Sequence, residues 1–243
     1  MPGLPHDEID IAFDVMSDTR TGGDPDRDSA TLRRYHQLLW SRQLPSGPLF
    51  ELDASTPRTY LHHKSEVGEF WLASDAITHS YRSAYKSRIG EVIQGVPADL
   101  IAEVYTRGCT VGAYILFPGA AQAGQPTINQ ARGRHPRICD RFDLTLECIR
   151  RHYSGEDHPL TSCLARFGTF FDLFDDFEGY VRFWLLDELV VEDYSAVKAY
   201  LPIENFERSA LPTSVAEYET YASGVIDFVA ARGQRMLEVS QRT

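Results

Sequence analysis

The chain has 243 residues, of which 43% are hydrophobic and 24% charged, and this length and composition suit a folded protein with one substantial core. Its formal net charge of −11 excludes an extensive, non-specific nucleic-acid-binding surface, because such surfaces neutralise phosphates with Lys and Arg. No run of about 18 apolar residues and no secretory signal is present, so we expect a cytoplasmic protein with no membrane partner.

The segment at residues 9–15 carries an apolar side chain at every second position. A period of two predicts a strand with one buried face. The loop that follows is rich in Gly, Pro, Asp and Ser, and Ser29 at its end is a suitable cap for a helix. The chain is therefore predicted to begin with a strand, a polar loop and an amphipathic helix.

The middle of the first half is predicted to form a sheet. Residues 59–63 and 69–73 have the composition of two strands with a short connection, and residues 109–117 form the strongest strand pattern, ended by Pro118. Between them, Ser74 or Asp75 is a suitable cap for a helix that runs through Tyr85. This half of the chain, about 1–120, is thus rich in strands.

The second half changes character after about residue 134. Apolar residues recur at helical spacing, which predicts helices at about 136–153, 159–174, 179–191 and 214–239. Strands followed by helices, without a regular strand–helix alternation, favour an α+β fold. We therefore predict one domain over residues 1–243, in which a small, mainly antiparallel sheet is packed by the helices at about 134–240.

Four cysteines occur, at positions 109, 139, 148 and 163. No two of them have C-x-x-C spacing, and a chain of this size does not need disulfides. Free thiols are the simplest interpretation. The sequence predicts no metal site and identifies no cofactor, since the common signatures for nucleotide triphosphatases, dinucleotide enzymes, zinc proteases and serine hydrolases are absent.

A polar segment precedes the first helix of the second half. It holds Asn129, Arg132 and Arg134, and Gly133 permits close approach of the backbone. Exposed N–H groups at a helix start favour an anion, and Arg supplies paired donors for phosphate or carboxylate. The segment is therefore predicted to be a ligand-binding loop, although arginines that pair with the many acids of the chain explain it equally simply.

The helix predicted at 136–153 has a polar arc that carries both acids and arginines. Asp140, Asp143 and Glu147 lie on this arc beside Arg150 and Arg151. One interpretation is that the acids bind a divalent cation, orient arginines or do acid–base work. The other is a solvated face in which Glu147 and Arg151 form an i,i+4 ion pair.

Two histidines are candidates for catalysis. His63 lies in a predicted strand, and His79 follows Asp75 by four residues. On the predicted helix, Asp75 would orient His79 as a general acid or base. Each histidine also suits an ordinary structural role.

A resemblance covers nearly the whole chain. The segments that carry it are SDTRTGGDPDRDSATLRRYHQLLWSRQLPSG, YILFPG, TINQARG, DRFDLTLECIRRHY and FFDLFDDFEGYVRFWLLDELV. The chain resembles a bacterial family of uncharacterised proteins, a domain of unknown function. Ala120 departs from the family pattern, which has Asn at this position, and a site that used this Asn would be altered here. The resemblance supports one domain and implies no activity.

Two hypotheses follow from these patterns. The first is a cytoplasmic enzyme that acts on a phosphate-bearing substrate, a nucleotide or nucleic acid. Arg132 with Asn129 or Arg134 would bind phosphate, and Asp140 and Asp143 would orient arginines or hold a metal. His63 or His79, with Asp75, would move a proton. The second is a non-catalytic binding or regulatory protein, a homodimer formed through the aromatic helices at 159–191.

Overall fold

A computed structural model describes residues 8–56, 59–81, 86–120 and 124–241. In this part of the chain the α-helices are α1 (Pro25–Asp28), α2 (Ala30–Trp40), α3 (Lys86–Gly95), α4 (Ala98–Gly108), α5 (Ile128–Arg134), α6 (Phe142–Ser154), α7 (Thr161–Arg166), α8 (Gly168–Phe171), α9 (Phe177–Trp184) and α10 (Val215–Ser240). The strands are β1 (Arg42–Gln43), β2 (Leu49–Phe50), β3 (Leu61–Ser65), β4 (Gly68–Ala76) and β5 (Tyr114–Pro118). The predicted α+β class is confirmed.

The main sheet is antiparallel and has the order β3-β4-β5. Its register pairs Leu61 with Leu72, and Leu72 with Pro118. Every residue of β5 is buried. The strands predicted at 59–63 and 69–73 are confirmed in kind. The strand predicted to begin at Cys109 starts five residues later, because a short 3₁₀ helix occupies Val111–Ala113.

The strand predicted at residues 9–15 is wrong. Asp10 Oδ1 accepts from Ala12 N at 2.9 Å, and Asp14 Oδ1 accepts from Met16 N at 2.8 Å. These local bonds turn the backbone and replace the ladder bonds of a strand. The alternation nevertheless marks burial at the two ends of the segment, since Ile9 and Val15 are both in the core.

The helix predicted from Ser74 or Asp75 is also wrong where the structure describes it. β4 continues through Ala76, with Asp75 opposite Ile115 of β5. Pairing with β5 outweighs the local preference for a helix cap, because β5 is fully buried and its backbone groups need hydrogen-bond partners. The predicted end of this helix, Tyr85, lies outside the described residues. Asp75 and His79 therefore do not form a helical i,i+4 pair.

The helices of the second half are present, but three are shorter than predicted. The segment predicted at 136–153 becomes helical only at Phe142, since Cys139 and Asp140 have φ values of 47° and 61°, outside the helical region. The segment at 159–174 is divided into α7, α8 and a 3₁₀ turn, and α9 ends where Leu185 adopts φ 55°. α10 agrees with its prediction, and Ser214 caps it.

The core is one continuous cluster of buried apolar side chains that extends from Ile9 to Met236. One of its aromatic contacts joins Trp40 and Trp184, whose ring centroids are 4.9 Å apart. The aromatic side chains of α8, α9 and the turn between them are buried in this core: Phe170, Phe171, Phe174, Phe177, Tyr180, Phe183 and Trp184. They are therefore not an exposed dimer surface. The four cysteines are free thiols, as predicted.

Candidate functional site

Arg132 is the centre of a polar cluster between the sheet and α6. Thr127 caps α5 in a capping box with Gln130, and this short helix carries Arg132 inward. The Arg132 side chain is only 1% exposed. The prediction of a loop over 129–134 is therefore wrong, because the reciprocal cap makes a helix of this segment.

The Arg132 guanidinium makes bonds in four directions. Nε donates to Thr145 Oγ1 at 3.2 Å and Nη2 donates to the Asp140 backbone oxygen at 2.6 Å. Nη1 donates to Asp75 Oδ2 at 2.6 Å and to the Ala76 backbone oxygen at 3.2 Å. With nearly all of its donors engaged, Arg132 holds three segments together and orients the Asp75 carboxylate.

Two carboxylates face the same nitrogen of Arg132. Nη1 is 2.6 Å from Asp75 Oδ2 and 3.7 Å from Asp140 Oδ1, and the two Asp side chains are 22% and 26% exposed. A Cβ atom on Gly133 would lie 2.9 Å from Asp140 Oδ1, so only glycine permits this approach. Both acids thus reach solvent while they stay bound to one buried cation.

His79 lies three residues after Ala76, whose backbone oxygen accepts from Arg132 Nη1 at 3.2 Å. Its Nδ1 accepts from Tyr81 N at 2.8 Å, so the neutral ring carries its proton on Nε2. Its backbone is fixed by Tyr221, whose hydroxyl accepts from His79 N at 3.2 Å and donates to His79 O at 2.9 Å. The ring also lines a cavity of about 250 Å³ together with Thr78 and Cys109.

The environment shifts the acid–base properties of both candidate proton carriers. Burial raises the pKa of the Asp75 carboxyl, and Arg132 works against this rise. Burial and the positive charge of Arg132 lower the pKa of His79, while Asp140 opposes them. Burial thus favours the uncharged imidazole of His79 and makes the Asp75 carboxylate more basic than an exposed one.

The backbone around the cluster is strained. Tyr81, Cys139 and Asp140 all have positive φ values, 54°, 47° and 61°. The Tyr81 hydroxyl donates to the Cys139 backbone oxygen at 3.2 Å and so ties two of these positions together. Non-glycine residues in this region cost about 1–3 kcal/mol each and occur often at functional sites.

The structure places His63 away from the cluster. Its Nδ1 and Nε2 are each 2.8 Å from an oxygen, Glu51 O and Ser65 Oγ, and its ring stacks on Phe50. His63 pairs with Phe70 of β4. Phe70 lies five residues before Asp75 on the same strand, a separation of roughly 16 Å at about 3.3 Å per residue. His63 therefore shares no pocket with Arg132.

The other predicted site residues have different positions. Asp143 is fully buried in an ion pair with Arg141 and also accepts from Tyr200 N. We therefore assign it a structural role in the core. Asn129 has a buried Oδ1 that accepts no hydrogen bond from the described residues. Arg134 is exposed at the end of α5.

The acids and arginines of α6 pair with one another. Glu147 accepts from Arg150 Nε at 2.8 Å and from Arg151 Nε at 2.8 Å. The i,i+4 pair between Glu147 and Arg151 is thereby confirmed. Among the described residues, no group of three or more His, Cys, Asp or Glu side chains could hold a metal ion.

Sequence reasoning missed the roles of Tyr81, Cys139 and Arg141. Their positions depend on positive φ values and on contacts between distant segments, and neither leaves a local pattern. A signal was available for Arg141, since Arg141 and Asp143 flank the true start of α6 and their opposite charges are two residues apart.

A second His contact resembles a nucleophile with its base but lacks the chemistry. His36 Nε2 is 3.0 Å from Ser74 Oγ, and Trp40 Nε1 donates to His36 Nδ1 at 3.1 Å. Because Nδ1 is the acceptor, the proton lies on Nε2 and points at the serine. His36 therefore cannot take the Ser74 proton in this arrangement, and we assign the pair to structure.

Comparison with known proteins identifies the chain as a member of a family without an assigned activity. The model of the Family of unknown function (DUF6994) matches residues 9–236, so the chain belongs to this family. No curated protein and no solved structure matches it. None of the described helices has the length and apolar character that a membrane crossing requires.

Proposed function

Within this family, we propose that the chain is an enzyme that carries out acid–base chemistry on a phosphate-bearing substrate, most simply a nucleotide. The observation that carries the proposal is the convergence of Asp75 and Asp140 on the buried Arg132, which also bonds Ala76, a residue that lines a cavity together with His79. Titratable groups with perturbed pKa values in a cleft are typical of active sites.

The geometry supports separate roles for the three groups. Asp75, held by Arg132 at 2.6 Å, takes a proton from the substrate, since its raised pKa makes it a better base. His79 donates from Nε2 to the oxygen on which negative charge develops, as a neutral imidazole can. Asp140 keeps Arg132 in place through its backbone oxygen.

Phosphate binding falls to cations other than Arg132, whose donors are used internally. Arg134 and Arg137 are exposed at the end of α5 and in the turn that follows. Neither side chain has a hydrogen-bond or ion-pair partner in the described part of the chain. Asn129 on the same helix adds a side-chain amide, whose NH₂ group can donate to a phosphate oxygen. These groups are suited to a phosphate that approaches from solvent.

The test is a screen of nucleoside mono-, di- and triphosphates with purified protein, followed by ³¹P NMR for turnover and calorimetry for binding. We expect Asp75→Asn to retain binding and lose at least about 100-fold in turnover, because a general base contributes on that order. Arg134→Gln should weaken binding by about tenfold or more.

The control is Arg20→Gln, which removes an exposed arginine that pairs with Asp28 at 2.8 Å. It should leave both properties unchanged. If wild type binds no member of the screen, or if Asp75→Asn turns the substrate over at the wild-type rate, the proposed function is wrong.

A further inference from the structure

A separate cavity of about 570 Å³ lies between β1 and the start of α9. Part of its wall is apolar and is formed by Leu44, Pro45, Phe174 and Phe183. Its size falls in the range of small-molecule sites in proteins. It has no residue in common with the cluster around Arg132, so whatever binds here is independent of the proposed function.

Arg42 projects a cation into the wall of this cavity. Its guanidinium carbon lies 5.2 Å from the ring centroid of Trp40 and 4.7 Å from that of Phe183. Nη2 donates to the Arg182 backbone oxygen at 3.4 Å, whereas the buried Nε has no acceptor. Among the described residues, no carboxylate lies within ion-pair distance of Arg42.

Burial lowers the pKa of Arg42 to about 10. A partly desolvated cation without a counter-ion is unfavourable for the fold, and an arriving carboxylate would remove that penalty. The planar guanidinium is also preorganised between two rings, so little side-chain entropy is lost when it binds an anion. These properties are typical of a ligand-binding arginine.

The acidic residues that line the same cavity differ in whether their side chains have a hydrogen-bond or ion-pair partner in the protein. Asp176 Oδ1 accepts from Gly179 N at 2.8 Å as the cap of α9, and Glu178 pairs with Arg182 at 2.6 Å. The Asp175 side chain has no hydrogen-bond or ion-pair partner among the described residues, and its backbone is held at φ 64° and ψ −58°. Arg42 and Asp175 are therefore the cation and the anion of this wall that protein partners leave unmatched.

We propose that this cavity binds a small zwitterion, an α-amino acid with an apolar side chain. The carboxylate of the ligand pairs with the Arg42 guanidinium, and its ammonium group pairs with Asp175. The apolar side chain packs on Leu44, Pro45 and Phe183. A simple anion is a poorer ligand, because Asp175, Asp176 and Glu178 repel it.

Calorimetry with L-leucine, L-methionine and L-phenylalanine tests the proposal directly. For an amino acid that binds, the analogue without the amino group and the analogue without the carboxylate should each bind at least about tenfold more weakly, since each loses one charge-assisted interaction. For L-leucine these analogues are 4-methylpentanoate and 3-methylbutylamine. Binding by none of the three amino acids, or equal binding by the carboxylate analogue, overturns the proposal.

Variants locate the two charged contacts. Asp175→Asn keeps a side chain that tolerates positive φ and should weaken amino-acid binding at least about tenfold, as should Arg42→Gln. Arg20→Gln is the control, because Arg20 lies outside this cavity and pairs with Asp28 at 2.8 Å, and it should bind as wild type does. A loss of binding in the control alone, with Asp175→Asn unaffected, refutes the assignment. Since Asp175 is exposed, its variant tests the site even if Arg42→Gln unfolds.

Discussion

Asp26 is an acid whose buried position changes how stability depends on pH. It is 8% exposed, its Oδ1 accepts from Ser74 N at 2.8 Å, and burial raises its pKa from 3.8 to about 6. A raised pKa means that the folded state binds the proton more tightly. The stability from this group is therefore complete below pH 3.8 and is lost as the pH rises through 6.

We predict that Asp26→Asn stabilises the protein relative to wild type at pH 7 but not at pH 4. Asn stays neutral and can still accept from Ser74 N, so the difference in the free energy of unfolding should grow across this window by up to about 3 kcal/mol. Urea unfolding at the two pH values measures it. Asp227→Asn, at an exposed position of α10, is the control, and an Asp26→Asn effect equal at both pH values would contradict the prediction.

At the scale of elements, local signals predicted those parts of the fold that local forces determine. α2 and α10 begin after Ser29 and Ser214, whose side chains cap them, and both have long apolar periods. The strand of residues 114–118 was visible in its composition. These elements need no distant partner to be recognised.

The candidate site was only partly predictable for the same reason. Asp75, His79, Arg132 and Asp140 were identified by residue type, and the structure brings Asp75 and Asp140 to Arg132. His63 was not separable from them in sequence, because its distance from Asp75 depends on the register of β3 and β4. The left-handed backbone at Cys139 and Asp140 accompanies contacts with Tyr81 and Arg132, and no local sequence pattern indicates it.

The contact between α5 and the turn before α6 leads to a prediction for Gly133 that is opposite to the one from helix propensity alone. Gly133→Ala should stabilise a free helix by about 0.5–1 kcal/mol. Here the new Cβ would meet Asp140 Oδ1 at 2.9 Å and displace the carboxylate from Arg132. We expect a net loss of about 1–3 kcal/mol in the free energy of unfolding.

Gly90→Ala is the matched control for this substitution. Gly90 lies within α3 and a Cβ there would meet no atom within 4 Å, so we expect a small gain in stability. Urea unfolding of both variants gives the comparison. Equal effects of the two substitutions would show that Gly133 is not required for the approach of Asp140.

At the scale of the whole molecule, the acidic chain buries four arginines among its described residues. Arg33, Arg132, Arg141 and Arg232 are all at most 5% exposed, and each bonds backbone oxygens of distant segments. Arg232 joins α10 to Gly112, Tyr114 and Trp184. Arginines that hold the fold in this way are unavailable to ligands.

The acid limit of the fold should depend on His36. This residue is 1% exposed, and burial lowers its pKa from 6.5 to about 3, so the unfolded state binds the proton more tightly. Its contribution to stability is complete above pH 6.5 and is lost as the pH falls towards 3, opposite in sign to that of Asp26. Between pH 7 and pH 4 the free energy of unfolding of wild type should fall by about 3 kcal/mol through this group.

His36→Gln should be less stable than wild type at pH 7, because the bonds to Ser74 and Trp40 are disturbed. Its free energy of unfolding should nevertheless fall less on acidification. Urea unfolding at pH 7 and pH 4 gives both values, with His62→Gln on the half-exposed face of β3 as the control. An equal acid loss in wild type and His36→Gln would mean that other groups set the acid limit.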